Sequence, residues 1–543
     1  MYKKIKQDKD KVKHYINKMQ ELQTERQQWQ DQWDDLSQYV LPRKNRVYGQ
    51  PIKNGNRGEE KYNKLYDSTS IQANELLASA MHSMLTSPVS KWFSLTSGDP
   101  EVDMNYDVQL WLEDTRDRIL GVLNQSNFNT QAHENYLDIG CIGTSTLAME
   151  EDKDDVVTFM ARPVYDVLID ENHKKQVDTI YITWTMSYKQ IVQKWGDKNL
   201  SEDFIRAKSK VANVCDIDVI MCVEPNKSYD AKKKKGVGAN KAFRSCVFIE
   251  SCQDIIEESG YHEFPFAVPR WSVLSYEKFG RSPAMKVLPD IKMVNTIQKY
   301  CIRGIQKVVD PPIMIPDKAF LGNFNTRPGA KNYFRPGTAD QARPFESGAR
   351  PDVGQDFVAS VQDNIKRGFY IDQLQLREAD RMTATEVRQR NDDRLRLLSP
   401  ILARLNDEYL KPIILRVFGI MSRKKMFTPM PDILKKSGLE VRFISQVARA
   451  QMASETDVIN RLMAATMPII ESQPEVMGIF NGDNIIRSIG REFGVDPSYF
   501  KAPEQVEQER GAQAQAQADA EEAQMQNMDA DTALKMAGAQ QKQ

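Results

Sequence analysis

Histidine is scarce in this chain, cysteine is scattered, and the best-known catalytic signatures are missing. The pattern G-x-x-x-x-G-K-[ST] does not occur, so the phosphate cradle of a P-loop motor is absent. Neither H-E-x-x-H nor G-x-S-x-G occurs, which removes the helical zinc protease and the serine-hydrolase elbow. The five histidines, His14, His82, His133, His173 and His262, include no pair at H-x-x-x-H spacing, and each reads as a surface or core side chain. The six cysteines, Cys141, Cys215, Cys222, Cys246, Cys252 and Cys301, form no C-x-x-C pair. They read as buried reduced thiols rather than as a zinc site. No run of about 18 apolar residues exists, so no helix is long and apolar enough to span a membrane. The N-terminal MYKKIKQDKDK has no apolar signal core. The expectation is work in a cytoplasm or inside a particle assembled there. Excess charge of one sign is also missing, since 74 Lys and Arg face 75 Asp and Glu. A protein that grips DNA by neutralising phosphates is usually basic. Near-neutrality argues against a tight DNA binder and permits one past which DNA must slide. No cofactor, no metal ion and no enzymatic activity are expected.

Two further candidates for chemistry read as ordinary surface. Gly236 to Lys241 is the glycine-rich run nearest to that phosphate-cradle pattern, but it follows four lysines instead of an apolar strand, so a hairpin tip fits better than a phosphate cradle. Glu150, Glu151, Asp152, Asp154 and Asp155 cluster, but Lys153 sits among them between strand-like flanks, and a solvated turn is the preferred reading.

The chain does have room for several domains, with 543 residues of which 41% are hydrophobic and 27% charged. Tyr15, Met19, Leu22, Trp29, Trp33, Leu36 and Val40 recur at heptad-like steps with Arg26 in one seam position. That predicts a helix over about Lys11–Leu41, either a short coiled coil or, preferred here, a helix docked on the body of the same chain. Asp67 can cap a second helix through Met84, and Val108–Leu123 is a further amphipathic helix. From Leu147 to Val223 the pattern turns strand-like, and it continues over Cys246–Ile256 and Phe266–Leu274. Helix returns over Pro283–Val309, with Met285, Leu288, Ile291, Val294, Ile297 and Ile305 on one side. A segment rich in Pro, Gly and Arg follows, then a helix over Val353–Ile371 and a polar loop, Asp372–Asp380. Leu439–Ile444 reads as a strand, several short helices follow from Met452 to Phe493, and the Gln- and Ala-rich end from Ala502 is helix-prone but too polar to build a core alone.

The stretch RMTATEVR, Arg381 to Arg388, places Thr383 and Glu386 at capping-box spacing. A long helical pattern follows through Val387, Leu398, Leu405, Tyr409, Ile413, Val417 and Ile420, and Pro400 and Pro412 should each kink it. Five segments in order, YVLP from Tyr39, Leu65–Leu95, GCIGTSTLAMEED from Gly140, FGRSPAMKVLPD from Phe279, and RMTATEVR, together resemble the portal (head–tail connector) proteins of short-tailed bacteriophages. They spread over about 350 residues, and the last two are the most specific.

The resemblance implies an α+β, mainly α, portal fold with wing, stem, clip, tunnel loop and crown, assembled as a cyclic ring. Carried over, residues 1–282 are the wing, 283–309 and 353–371 the two stem helices, and 310–352 the clip. Residues 372–382 become the tunnel loop, 383–430 a long kinked wing helix, 431–501 the crown, and 502–543 a C-terminal barrel or tail. It implies a homo-dodecamer in the virion, at one capsid vertex, through which double-stranded DNA is packaged and ejected. The partners would be the major capsid protein, the terminase and later a tail adaptor, with no membrane. Gln373, Gln375, Arg377, Glu378 and Arg381 would face the channel from the tunnel loop. Lys292, Lys299, Arg303 and Lys307 would supply stem or channel charge, and Arg327, Lys331, Arg335 and Arg343 would serve clip docking. For any single one of these charges the preferred reading is a solvated face or an intersubunit ion pair. Thr383 and Glu386 would anchor the end of the tunnel loop. The alternatives are an internal scaffold or core virion protein, or a packaging enzyme, the last disfavoured by the missing P-loop.

Overall fold

A computed structural model describes residues 7–42, 65–103, 105–152, 155–209, 215–229, 240–314, 333, 343–344, 351–374, 398–434, 440–443, 482–492, 499–501, 505–518 and 520. The chain opens with α1 (Lys9–Tyr39), whose first turn is capped by Asp8 Oδ1 accepting from the Lys11 N–H at 3.1 Å. Next come α2 (Thr69–Leu85), β1 (Phe93–Thr96), α3 (Pro100–Asp103), α4 (Tyr106–Gln125) and α5 (Phe128–Ile142). Asp67 accepts from the Thr69 N–H at 2.9 Å, one residue outside the helix proper. The β-rich part holds β2 (Thr146–Glu151), β3 (Val157–Arg162), β4 (Val167–Glu171), β5 (Val177–Ser187), then α6 (Tyr188–Trp195) and α7 (Glu202–Lys208). It closes with β6 (Cys215–Pro225), β7 (Phe243–Ile249), β8 (Asp254–Tyr261) and β9 (Phe266–Ala267). Then follow α8 (Pro283–Val309), β10 (Ile313–Met314), β11 (Arg343–Pro344), α9 (Pro351–Gly368) and α10 (Ile371–Leu374). Helical backbone over 398–405 leads through a π-helical turn, Asn406–Leu410, into α11 (Lys411–Arg423). The remaining described elements are β12 (Glu440–Phe443), α12 (Gly482–Glu492) and a helix over 505–518.

The fold class is α+β. Contacts divide the chain into two compact units, one of residues 1–90 and 122–424 and the other of residues 91–121 and 425–543. In the first, β4 to β8 form a five-stranded antiparallel meander, and β2 pairs with both β3 and β9. Val12, Tyr15, Met19 and Leu22 of α1 pack on one face of the meander with Leu168, Tyr181, Ile220 and Phe248, and Tyr15 stacks on Phe248 at 6.1 Å. The heptad-like seam is therefore spent within the chain, as a docked helix. Arg26, the misfit in that seam, donates to the carbonyls of Tyr165 and Val167 at 3.1 and 2.8 Å. Burial pulls its pKa down to about 9. In the second unit β1 pairs antiparallel with β12, from Phe93 opposite Phe443 to Thr96 opposite Glu440, and the Trp111 indole donates to Thr428 O at 3.0 Å.

Three readings need correction or refinement. Residues 91–121 do not cluster with the rest of 1–282, because β1 finds its partner strand some 350 residues further on. The polar loop after α9 begins with a helical turn: Tyr370 adopts φ +61° after the break at Gly368, and the Gln373 N–H then reaches Tyr370 O at 3.0 Å. At Pro412 the interruption takes the form of a widened turn. Proline has no N–H for Glu408 O, and the Lys411 N–H reaches back five residues to Asn406 O. The tip of the β6–β7 hairpin, RMTATEVR and most of the Pro-rich segment lie outside the described residues.

Candidate functional site

Four of the charged residues that the sequence singles out, Lys292, Lys299, Arg303 and Lys307, lie on α8, which packs against α9. Ser282 starts α8, its Oγ accepting from the Met285 N–H at 3.0 Å, and Pro283 fits the first helical position, where no N–H is needed. Met285, Leu288, Ile291 and Val294 are buried, as the 3.6-residue pattern demands. On α9 the buried positions are Val358, Val361 and Ile365. Glycine lets the two helices approach. A Cβ on Gly368 would collide with Val287 Cγ1, and one on Gly354 would stand 2.5 Å from Cys301 Sγ. The separation is the same fourteen residues on each helix, so the pair is antiparallel and level over about 21 Å at 1.5 Å per residue. From Tyr300 onward α8 emerges: Tyr300 is 63% exposed, Val308 57% and Val309 78%, and Phe357 of α9 is 50% exposed.

The predicted stem cations divide between cis partners and solvent. Lys292 pairs with Asp35 of α1 at 2.5 Å. Lys299 stands over the Tyr66 ring at 5.8 Å. Arg303 and Lys307 are exposed. Gln373 is half-buried in α10, with a buried Oε1 that accepts no hydrogen bond. Arg343 is described only through its backbone, opposite Met314 in the β10–β11 pair. Gln375, Arg377, Glu378, Arg381, Thr383 and Glu386, with Arg327, Lys331 and Arg335, lie outside the described residues.

Two ionic hubs were not foreseen. Arg270, 3% exposed, follows β9 and ties three elements together. It donates to Glu408 Oε1 at 2.7 Å and Oε2 at 3.1 Å in the π turn, pairs with Glu171 at the end of β4, and donates to the carbonyls of Lys278 and Lys175, both at 3.0 Å. Burial opposes its charge, but the hydrogen bond and charge of Glu408, then of Glu171, outweigh it and hold the pKa above the ordinary arginine value. The second hub joins the acidic turn to α11. Arg416 pairs with Glu263 at 2.7 Å, and Arg423 pairs with Glu263 at 2.6 Å and Glu151 at 2.8 Å. Glu150 accepts from the Tyr261 hydroxyl at 3.0 Å. Part of the acidic cluster is thus one side of an ion-pair network rather than a wholly solvated turn. The sequence did hold a signal for both hubs. Arg270 interrupts the apolar run Phe266–Trp271, and Arg416 falls on the apolar face of Ile413 and Ile420.

Among the described residues no group of three or more His, Cys, Asp or Glu is placed to hold a metal ion. The arrangement offers charge, levelled helices and exposed apolar surface.

Comparison with known proteins agrees along nearly the whole chain. A family model described as "Bacteriophage head to tail connecting protein" matches residues 12–500. A protein named "Probable portal protein" in Bordetella phage BPP-1 is 29% identical over 535 residues, 96% of this chain and 94% of that protein. The "Portal protein" of Salmonella phage epsilon15 is 30% identical over 512 residues, 92% of this chain and 91% of that one. A chain from the solved virion of a native gene transfer agent particle aligns with a TM-score of 0.34 at 11% identity, covering 79% of this chain and 95% of that chain.

Proposed function

The chain belongs to the bacteriophage head to tail connecting protein family, and from that premise we propose that it is a portal: a homo-dodecameric ring at one capsid vertex through which double-stranded DNA enters and leaves. The observation that carries the reading is the family match along residues 12–500. On this reading the protein is structural and not an enzyme. Residues 283–309 and 353–371 are the stem, residues 310–352 the clip that meets the terminase and then a tail adaptor, and residues 372–382 the loop that faces DNA. The β-rich part up to residue 282 and the long helix are the wing against the major capsid protein, and the ring belongs to the virion.

Physical features of the single chain support this. Tyr300, Val308, Val309 and Phe357 expose apolar surface on helices otherwise built to be covered, and a neighbouring copy is the cover that a ring supplies. Near-neutral charge suits a channel that must not hold its polyanion, and any DNA contact would engage phosphates without reading sequence. The test is native mass spectrometry with negative-stain imaging of the purified protein. A closed ring of twelve 62.2-kDa copies, about 746 kDa, is expected. Monomers and irregular aggregates across salt conditions would overturn the reading.

A further inference from the structure

The levelled α8–α9 pair carries opposite charge on its two outer edges. At about 100° per residue, Lys292, Lys299 and Arg303 fall within about 40° of one another around α8. They lie about 160° from the direction of Val287 and Cys301, the residues that touch α9. On α9, Asp356 and Asp363 likewise lie about 150° from Gly354 and Gly368, the residues that touch α8. One outer edge of the pair is therefore basic; the other is acidic except at its Gly368 end, where exposed Arg367 shares the side of Asp356 and pairs with Asp372 at 3.5 Å.

The levels match as well. Counting equal steps along the two helices from the Val287–Gly368 contact places Lys292 level with Asp363 and Lys299 level with Asp356. Arg303 comes level with helix position 352, an aspartate in the sequence. Lys292 is already engaged by Asp35 in the same chain, and Asp363 lies 3.5 Å from Lys366. The outward half of the pair, around Lys299, Arg303 and Asp356, is where Arg303 and Asp356 are exposed and where Tyr300 and Phe357 leave apolar surface uncovered.

We infer that the basic edge of α8 in one copy seats against the acidic edge of α9 in the next, with Lys299 facing the partner subunit's Asp356. The inference rests on the ring reading above and deepens it by naming the joint. The inference sets the ring axis parallel to α8 and α9; rotation about such an axis keeps every residue at its own height, so charges level within one chain are level between neighbours. The two edges differ in sign and lie on opposite sides, so the contact is head-to-tail, the type that closes a ring. Like charges would meet in any head-to-head arrangement of the same edges. The basic stripe is then engaged by protein and is not the surface that faces DNA.

The test uses the full chain with K299E, D356K, the double variant K299E/D356K, and an equimolar mixture of the two single variants. Ring content is read by native mass spectrometry as salt is raised. Each single variant places like charges at every joint, and the salt concentration at which rings half-dissociate should fall by about half or more. The double variant restores opposite charges at every joint and should recover the wild-type value. The mixture should also recover, in rings that alternate the two variants and so contain even numbers of copies. Single variants that assemble like the wild type would overturn the inference while leaving the ring reading intact. So would single variants that fail without rescue in either combination, or K299E rings of normal stability that have lost DNA retention. Absence of rings in the wild type would overturn both.

Discussion

Replacing Arg270 with methionine (R270M) is the perturbation whose size the structure defines best. The methionine fills similar volume but removes the hydrogen bonds that join the end of β4, the segment leading into α8, and the π turn. It also leaves the Glu171 side chain, 4% exposed, with only Lys175 at 3.4 Å among the described residues, a lysine that is itself 64% exposed. Removing one partner of a buried ion pair costs about 3–5 kcal/mol, because the other charge stays buried without compensation. At about 1.4 kcal/mol per tenfold, local opening of these segments should become at least a hundredfold more frequent. The chain has two units and need not unfold in one step, so a single melting temperature is the wrong measurement. Hydrogen exchange read peptide by peptide is the right one. Faster exchange is expected together over residues 166–176, 272–282 and 405–423, with none over 106–121. E408Q, which keeps one acceptor and leaves Glu171 as counter-ion, should show the same pattern at smaller amplitude. A change confined to one of the three segments, or below about tenfold in all of them, would refute the idea that Arg270 joins them.

Two further outcomes follow from the packing and the ion pairs. G354A pushes a methyl group against Cys301 Sγ and should weaken the α8–α9 contact by about 1–3 kcal/mol; G354A/C301A should recover most of it, as hydrogen exchange of α9 would show. Burial pushes the Glu151 carboxyl up, but the hydrogen bond and charge of Arg423, and then Arg416, hold its pKa below the ordinary carboxylate value. Its stabilising contribution is complete above the ordinary value of about 4.3 and is lost as pH falls through the lower folded value. Proteolysis of the 411–424 segment should therefore rise as pH drops below about 4 in the wild type, and E151Q should remove that acid step while raising cleavage at neutral pH.

Much of the fold was legible from periodicity. α8 runs from Pro283 to Val309 as the sequence predicts, because Ser282 and Pro283 mark its start and apolar residues recur at helical spacing. α1 and its buried seam were equally plain, as were the β-rich middle and the strand that became β12. The turn at 371–374 was missed because nothing local announces that Tyr370 takes a positive φ. The division at residue 91 was missed because one short strand, Phe93–Thr96, gives no hint of where its partner lies. The candidate stem cations were legible as residues, but their neighbours were not: Lys292 answers to Asp35, 257 positions away.

The sequence by itself determined what kind of elements form, where the long helices begin and which family the segments resemble. Those properties depend on residues a few positions apart, where spacing and capping act directly. Only the tertiary structure decided that Arg270 clasps Glu408 across 138 positions, that Gly354 and Gly368 bring α8 and α9 level, and that opposite charges line the two outer edges of that pair. Each depends on how two distant segments align in space, and local periodicity carries no record of that alignment.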